Sequence, residues 1–358
     1  VYKRQVLRER NRKIAAKTEV FTEQQARRVR SFHSSFKEYS PTPLIELTSL
    51  AQHLGIKNLF VKDESYRFEL NAFKVLGGSF AIGSYIANEL GEDIDDLPYM
   101  RLVSDEVRSL LGSKTFITTT DGNHGRGVAW TANRLKQQAI VYMPQGSAAE
   151  RLANIRAEGA QAEITDMNYD DTVRYTSELA QKNGWIIVQD TAWDGYTRIP
   201  LWIMQGYMTM ALEAYEQLPV KPTHIFLQAG VGSLAGSVQG FFADIYGSSC
   251  PLTFIVEPKG ADCLYQTAAA NDGSLHSVTG RLETIMAGLA CGEPNSIAWE
   301  ILGNLSDGFI SCPDYTAAQG MRILGNPLAG DTKVSAGESD TDKENYRRIV
   351  WDGAWGRE

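Results

Sequence analysis

Short apolar runs at 115–119, 139–143, 162–165 and 185–188 alternate with stretches in which apolar residues return every three or four positions. This pattern predicts strands separated by helices, and helices of such length imply parallel βαβ units. A helical run at 201–218 leads into a second series: a strand at 223–227, a glycine loop, a helix at 233–246, a strand at 252–256 and a helix from Ala261. Upstream, Ser40-Pro41-Thr42-Pro43 reads as a turn, 59–61 as a strand, and 72–90 as a helix with Phe73, Leu76, Phe80, Ile82 and Ile86 on one broad face. The expected fold is α/β, two open twisted and mostly parallel sheets flanked by helices, with a break near 190–200. Ligands of such sheets sit beyond the carboxyl ends of the strands, so chemistry is expected in the loops after 119, 188, 227 and 256.

Composition narrows the function classes. The 358 residues carry 35 Lys plus Arg against 43 Asp plus Glu, a net charge of -8, which offers no basic field for nucleic acid. The one long uncharged window, 225–243, holds Gln228, Ser233, Ser237, Gln239 and four glycines, and is rejected as a membrane span. Four cysteines, Cys250, Cys263, Cys291 and Cys312, are too few and too dispersed for a disulfide framework or a zinc knuckle, so no metal site is read and a reducing cytoplasm is expected. That compartment argues against pairing of Cys263 with Cys291, although both follow second-lobe strands. Residues 1–20, with Lys3, Arg4, Arg8, Arg10, Arg12 and Lys13, read as a poorly ordered basic arm without a targeting signal.

Three segments carry candidate chemistry. The loop Gly230-Val231-Gly232-Ser233-Leu234 follows a strand and opens a helix, where accessible amides at the positive helix end suit a phosphate. A side chain on Gly232 is expected to stand where that phosphate approaches; the alternative is a tight turn that binds nothing. Thr118-Thr119-Thr120-Asp121-Gly122-Asn123-His124 also ends a strand and enters a helix, and its hydroxyls, amide and backbone N–H groups suit a carboxylate. His124 alone reads better as a capping residue. Lys74, in Asn71-Ala72-Phe73-Lys74, is either a snorkelling surface lysine or a desolvated amine able to form a Schiff base, and spacing leaves both open.

In this order the three segments resemble the fold-type II, tryptophan synthase β-like, pyridoxal-phosphate enzymes. Longer runs are similar to the diaminopropionate ammonia-lyases: Val61-Lys62-Asp63-Glu64-Ser65, Gly122-Asn123-His124-Gly125-Arg126-Gly127, Val188-Gln189-Asp190-Thr191-Ala192-Trp193, Trp202-Ile203-Met204-Gln205-Gly206-Tyr207 and 285–295. The resemblance spans roughly 20 to 338. It implies a carbon–nitrogen lyase that converts 2,3-diaminopropionate, D and L, to pyruvate and ammonia by α,β-elimination with pyridoxal 5'-phosphate. A serine or threonine dehydratase, or a degenerate homologue that turns nothing over, are the alternatives.

The resemblance further implies that Lys74 is the Schiff-base residue, with Lys62 its nearest competitor. Asn123 and 230–234 would hold the cofactor, and Thr119, Thr120, Asp121, Gly122, Asn123, His124 and Asp190 would receive the substrate. Asp121, where the broader dehydratase family usually has a small residue, is expected to be the base for the D-enantiomer, with Lys74 serving the L-enantiomer and Asp190 orienting the β-ammonium. A homodimer is implied, with a large cofactor domain from 21–79 and 191–358 and a small domain from 80–190. One departure stands out. After Ser335-Ala336-Gly337-Glu338-Ser339 the family has a further helix and strand before a segment similar to 340–348, whereas here the two abut, so no partner for the pyridine nitrogen can be named.

Overall fold

The computed structural model describes residues 4–8, 18–120 and 122–336. Its first sheet is β1 (Arg4–Leu7), β10 (Gly308–Cys312), β9 (Leu252–Pro258) and β8 (His224–Gln228), in that spatial order, parallel except for β1. The second is fully parallel, with the order β6 (Gln161–Ile164), β5 (Gln138–Met143), β4 (Thr115–Thr119), β7 (Ile186–Ile187). A short antiparallel pair, β2 (Leu44–Glu46) with β3 (Phe60–Lys62), makes a third. The two expected mostly parallel sheets are therefore present, and the alternation of β-branched residues with helices reads as it should. β7 is shorter than the 185–188 run because the Trp185 N–H is already spent on the Ala180 carbonyl at the end of the preceding helix.

The amino-terminal arm corrects an expectation. Arg4–Leu7 is not a loose tail but an edge strand, paired with Phe309, Ile310 and Ser311 of β10. Val6 packs against the core while Arg4 stays exposed, and the Arg8 N–H continues the pairing to the Asp307 carbonyl.

Among the helices are α1 (Glu23–Ser34), α2 (Lys74–Leu90), α3 (Asn123–Arg134), α4 (Tyr169–Asn183), α5 (Arg198–Gln217), α6 (Ser233–Tyr246), α7 (Cys263–Ala270) and α8 (Ser296–Leu305). The domain boundary expected between 79 and 80 falls inside α2. That helix packs on both sides: a Cβ on Gly77 would lie 2.7 Å from Ile203 of α5, and one on Gly78 would lie 3.5 Å from Val128 of α3. The α2–α5 crossing is tighter still, since a Cβ on Gly206 would come within 2.3 Å of the Leu76 carbonyl oxygen. Only glycine permits that approach. No helix among the described residues is long and apolar enough to cross a membrane.

Beside the cavity wall lies a buried charge knot. The Arg67 guanidinium donates to both oxygens of Glu213 (2.9 and 2.7 Å) and to both oxygens of Glu64 (2.8 Å each), and the Lys62 ammonium donates to Glu213 (2.8 Å) and the Thr42 carbonyl (2.5 Å). Two cations and two anions balance, as burial at this depth demands. Burial alone would raise the Glu213 carboxyl, but hydrogen bonds and charge from Arg67, then Lys62, hold it down at about 2, from an ordinary 4.5. The unfolded chain therefore binds a proton at Glu213 before the folded one does. Its stabilising contribution is complete above pH 4.5 and is lost as pH falls towards 2. Urea unfolding between pH 6 and 2.5 should show this slope in the parent protein and a flatter one in Glu213→Gln; equal slopes would remove Glu213 as its source.

Candidate active site

The carboxyl ends of β4, β7 and β8 and the first turn of α2 open onto one cavity of about 1040 Å³. This is where a parallel α/β sheet places its ligands. Lys74 begins α2 after a strained approach, because Phe68, Glu69 and Asn71 all sit at positive φ (50°, 60° and 57°) without being glycine. Such conformations cost ~1–3 kcal/mol each and persist only where packing dictates them. Here Phe68 is locked edge-on against Trp130 at 5.4 Å and against Phe36 at 6.0 Å.

The Lys74 ammonium donates to Asp190 Oδ2 at 2.5 Å. Burial disfavours the Lys74 charge, but the Asp190 carboxylate outweighs it and holds the amine protonated well above its usual range. Asp190, only 3% exposed, would be raised by burial, yet Lys74 and then His124 bring it down to about 2. The two charges thus stabilise one another inside the cavity wall. Lys62, the competing lysine, also lines the cavity, but its amine is committed to Glu213 and Thr42.

The glycine loop is braced from behind. Ser233 Oγ donates to the Asp190 carbonyl (2.5 Å), Asn295 Nδ2 donates to Ser233 Oγ (2.8 Å), and the Asn295 N–H reaches the Val231 carbonyl (2.8 Å). Asn295 also caps α8 through Oδ1, at 2.9 Å from the Ile297 nitrogen. Ser233 therefore spends its hydroxyl inward, and what 230–234 offers the cavity is backbone at the start of α6. Amides in a first helical turn have no carbonyl to meet within the helix, which suits them to a phosphate. The expected effect of Gly232 needs correction. A Cβ there would point away from the cavity, into Leu264, Ala298 and Leu302 at 3.2–3.3 Å, and φ is +100°. Glycine is required at 232 by backbone conformation and close packing, not by space for a phosphate.

The β4 loop divides by role. The Thr119 hydroxyl faces α4, 2.7 Å from Thr176 Oγ1 and 3.2 Å from the Thr172 carbonyl, so it supports the sheet although the residue borders the cavity. Thr120 Oγ1 accepts from the Gly122 N–H at 2.9 Å and shapes the turn. His124 Nε2 lies 2.7 Å from the Val188 carbonyl and ties α3 to the segment after β7, whereas α3 itself opens at Gly122 without a side-chain cap. Asn123 lines the cavity with a buried Oδ1 that has no hydrogen-bond partner. Asp121 lies outside the described residues.

Sequence reasoning missed Asn295 as the brace, Gln189, which accepts from Thr118 Oγ1 (3.1 Å) and the Thr119 N–H (3.0 Å), and Tyr207. The runs containing all three were conspicuous, but nothing in them assigns a task. The four cysteines form no disulfide; Cys263 Sγ lies 3.9 Å from the Gly230 carbonyl, and a Cβ on Gly230 would meet Cys291 Sγ at 3.2 Å.

An amine, an orphaned buried amide oxygen and a helix-opening glycine turn around one cavity fit the carbonyl, ring and phosphate of the expected cofactor. Comparison with known proteins bears directly on this fit. Residues 36–329 match the family of pyridoxal-phosphate dependent enzymes. The chain is 47% identical to the diaminopropionate ammonia-lyase of Escherichia coli K12 over 377 aligned positions, covering 93% of each chain. It is 52% identical to that of Salmonella typhimurium over 316, covering 87% of this chain and 78% of the relative. The E. coli alignment spans more positions, 377, than this chain has residues, 358, so that relative carries residues with no counterpart here. The crystal structure of the E. coli enzyme in complex with D-serine superposes with a TM-score of 0.86 at 49% identity, covering 94% of this chain and 83% of that one. A threonine deaminase from Solanum lycopersicum, at 19% identity and a TM-score of 0.71 over 92% of this chain and 84% of that one, shares the fold. By sequence and by fold, the chain belongs to the pyridoxal-phosphate dependent enzymes and, within them, to the diaminopropionate ammonia-lyases.

Proposed function

We propose that this protein catalyses the α,β-elimination of 2,3-diaminopropionate, both D and L, to pyruvate and ammonia. The observation that carries the reading is the Lys74–Asp190 pair at 2.5 Å, its lysine half-buried and its carboxylate buried, in the wall of a cavity that also holds the glycine turn. When bound, pyridoxal phosphate supplies an electron sink for the pair left behind as the α-proton departs. Lys74 would hold the cofactor through Nζ, the 230–234 amides would hold its phosphate, and Asn123 would meet its ring. With Lys74 Nζ so engaged, Asp190 would be a carboxylate in need of a cation, and the β-ammonium of the substrate would provide one. Serine and threonine have no such group.

Thr120, Gly122 and Asn123 receive the substrate carboxylate at the opening of α3. Lys74, its Nζ given up when the substrate's α-amine takes its place, would take the α-proton of the L-enantiomer from one face, and Asp121 would take that of the D-enantiomer from the other. The Cβ–N bond then breaks with its electron pair going to nitrogen, Lys74 returns a proton to the leaving amine, and water releases the remaining nitrogen as ammonia with pyruvate. A homodimer in the cytoplasm completes the reading, and sedimentation velocity checks the assembly. Pyruvate formation by the purified protein with added cofactor should be seen with D- and L-diaminopropionate and be far slower with serine and threonine. Turnover of serine or threonine alone would favour a dehydratase. The residues missing relative to E. coli favour a second reading, a homologue that binds and turns nothing over, for which ligand-induced spectral change without pyruvate is the signature.

A further inference from the structure

The phenol of Tyr207 is left unexplained by the site as described. The residue is wholly buried in α5, and its hydroxyl has no hydrogen-bond partner. A buried hydroxyl without a partner is costly, and phenylalanine would fill the same space without that cost. The ring is held in one place. It stands edge-on to Phe73 at 5.1 Å, and a Cβ on Gly77 would lie 2.7 Å from its Cε1 and 2.9 Å from its Cζ. The hydroxyl-bearing end of the ring therefore rests on the first turn of α2, between Phe73 and Gly77, where Lys74 begins the helix. The Gly77–Gly206 crossing is what brings it there.

We infer that Tyr207 is a positioning residue for Lys74, whose hydroxyl receives the Lys74 amino group when that group is unprotonated, as Asp190 receives it when it is charged. The inference rests on the reading that Lys74 carries the chemistry. A neutral amine has a lone pair, and a phenol is a good donor to it; a carboxylate has no proton to offer. Burial pushes the Tyr207 phenol upward, so it keeps its proton over the working range. The other titratable groups in reach are few: Asp190 and Cys291 act on Lys74, and His124 acts on Asp190. With Asp190 for the charged form and Tyr207 for the neutral one, Lys74 has a defined place in each protonation state. An amine that must both take and return a proton needs both places.

The test uses the protein without cofactor first. In the Asp190→Asn protein, where the charge that holds Lys74 protonated is gone, acetic anhydride labelling followed by peptide mapping over a pH series gives the pH midpoint of Lys74 labelling. Adding Tyr207→Phe should raise that midpoint by about 0.7 pH units, the worth of one net hydrogen bond to the neutral form, while the melting temperature holds or rises. With cofactor, Tyr207→Phe alone should lower kcat and leave KM. Gly77→Ala, whose methyl would displace the ring while keeping the hydroxyl, should raise the midpoint likewise. An unchanged midpoint in folded Tyr207→Phe overturns the inference, as does a lower melting temperature with an unchanged midpoint, the mark of a packing role. Absence of pyruvate from the parent protein would instead count against the elimination reading and leave the labelling result standing.

Discussion

Lys74→Ala is expected to lose the visible absorbance of bound cofactor and to turn over below detection. Loss of a positioned acid–base group alone costs ~10²–10⁴-fold, and here the covalent anchor of the cofactor goes with it. Lys62 cannot substitute, because its amine is fixed by Glu213 and Thr42. The structure adds a second signature. Removing Lys74 leaves the Asp190 carboxylate buried without its partner, which costs about 3 kcal/mol, towards the lower end for a broken buried pair. The variant should therefore melt lower than the parent, and adding Asp190→Asn should recover part of the loss. Borohydride reduction followed by peptide mapping locates the cofactor directly. A variant with parental absorbance and rate, or label on Lys62, would refute the assignment.

Asp121→Asn should depress turnover of D-diaminopropionate ~10²–10⁴-fold while sparing the L-enantiomer more. The two enantiomers would present the α-proton on opposite faces of the cofactor plane, and in the proposed mechanism Lys74, approaching from one face, serves only that side. Asp190→Asn is expected to behave differently. It should impair both enantiomers, because Asp190 pairs with Lys74 at 2.5 Å and is proposed to receive the β-ammonium, and it should erode the preference over serine. Steady-state pyruvate assays on the four enzyme–enantiomer pairs separate the cases. Equal losses for both enantiomers in Asp121→Asn would leave that residue a cap or a general electrostatic anchor.

The elements nearest the site were legible because their signals are local. β4 (Thr115–Thr119) and α6 (Ser233–Tyr246) have the bounds the pattern predicts, a buried β-branched run and a helix opened by glycines. β1 was not legible, since an exposed edge strand of four residues set in a basic run has the composition of a solvated arm, and only β10, some 300 residues on, turns it into a strand. The same holds within the site. Lys74 and Asp190 are each conspicuous in their own runs, but their 116-residue separation hides that they form one ion pair. Gly232 was legible as a required glycine and misread as to cause, because the direction of a missing Cβ is a property of α7 and α8 packed behind the loop.

The Asp190 carbonyl accepts from Ser233 Oγ, and Ser233 is both the first residue of α6 and part of the glycine turn. One joint thus fastens the end proposed to grip phosphate to the residue that holds the Lys74 amine. Coupling of this kind is reciprocal in binding free energy: whatever settles α6 also settles Asp190, and a cation well seated on Asp190 strengthens the hold on a phosphate there in equal measure. Retention of the cofactor then becomes a property of the occupied enzyme rather than of the cradle alone, and loss of cofactor during turnover should be slowest when substrate is plentiful.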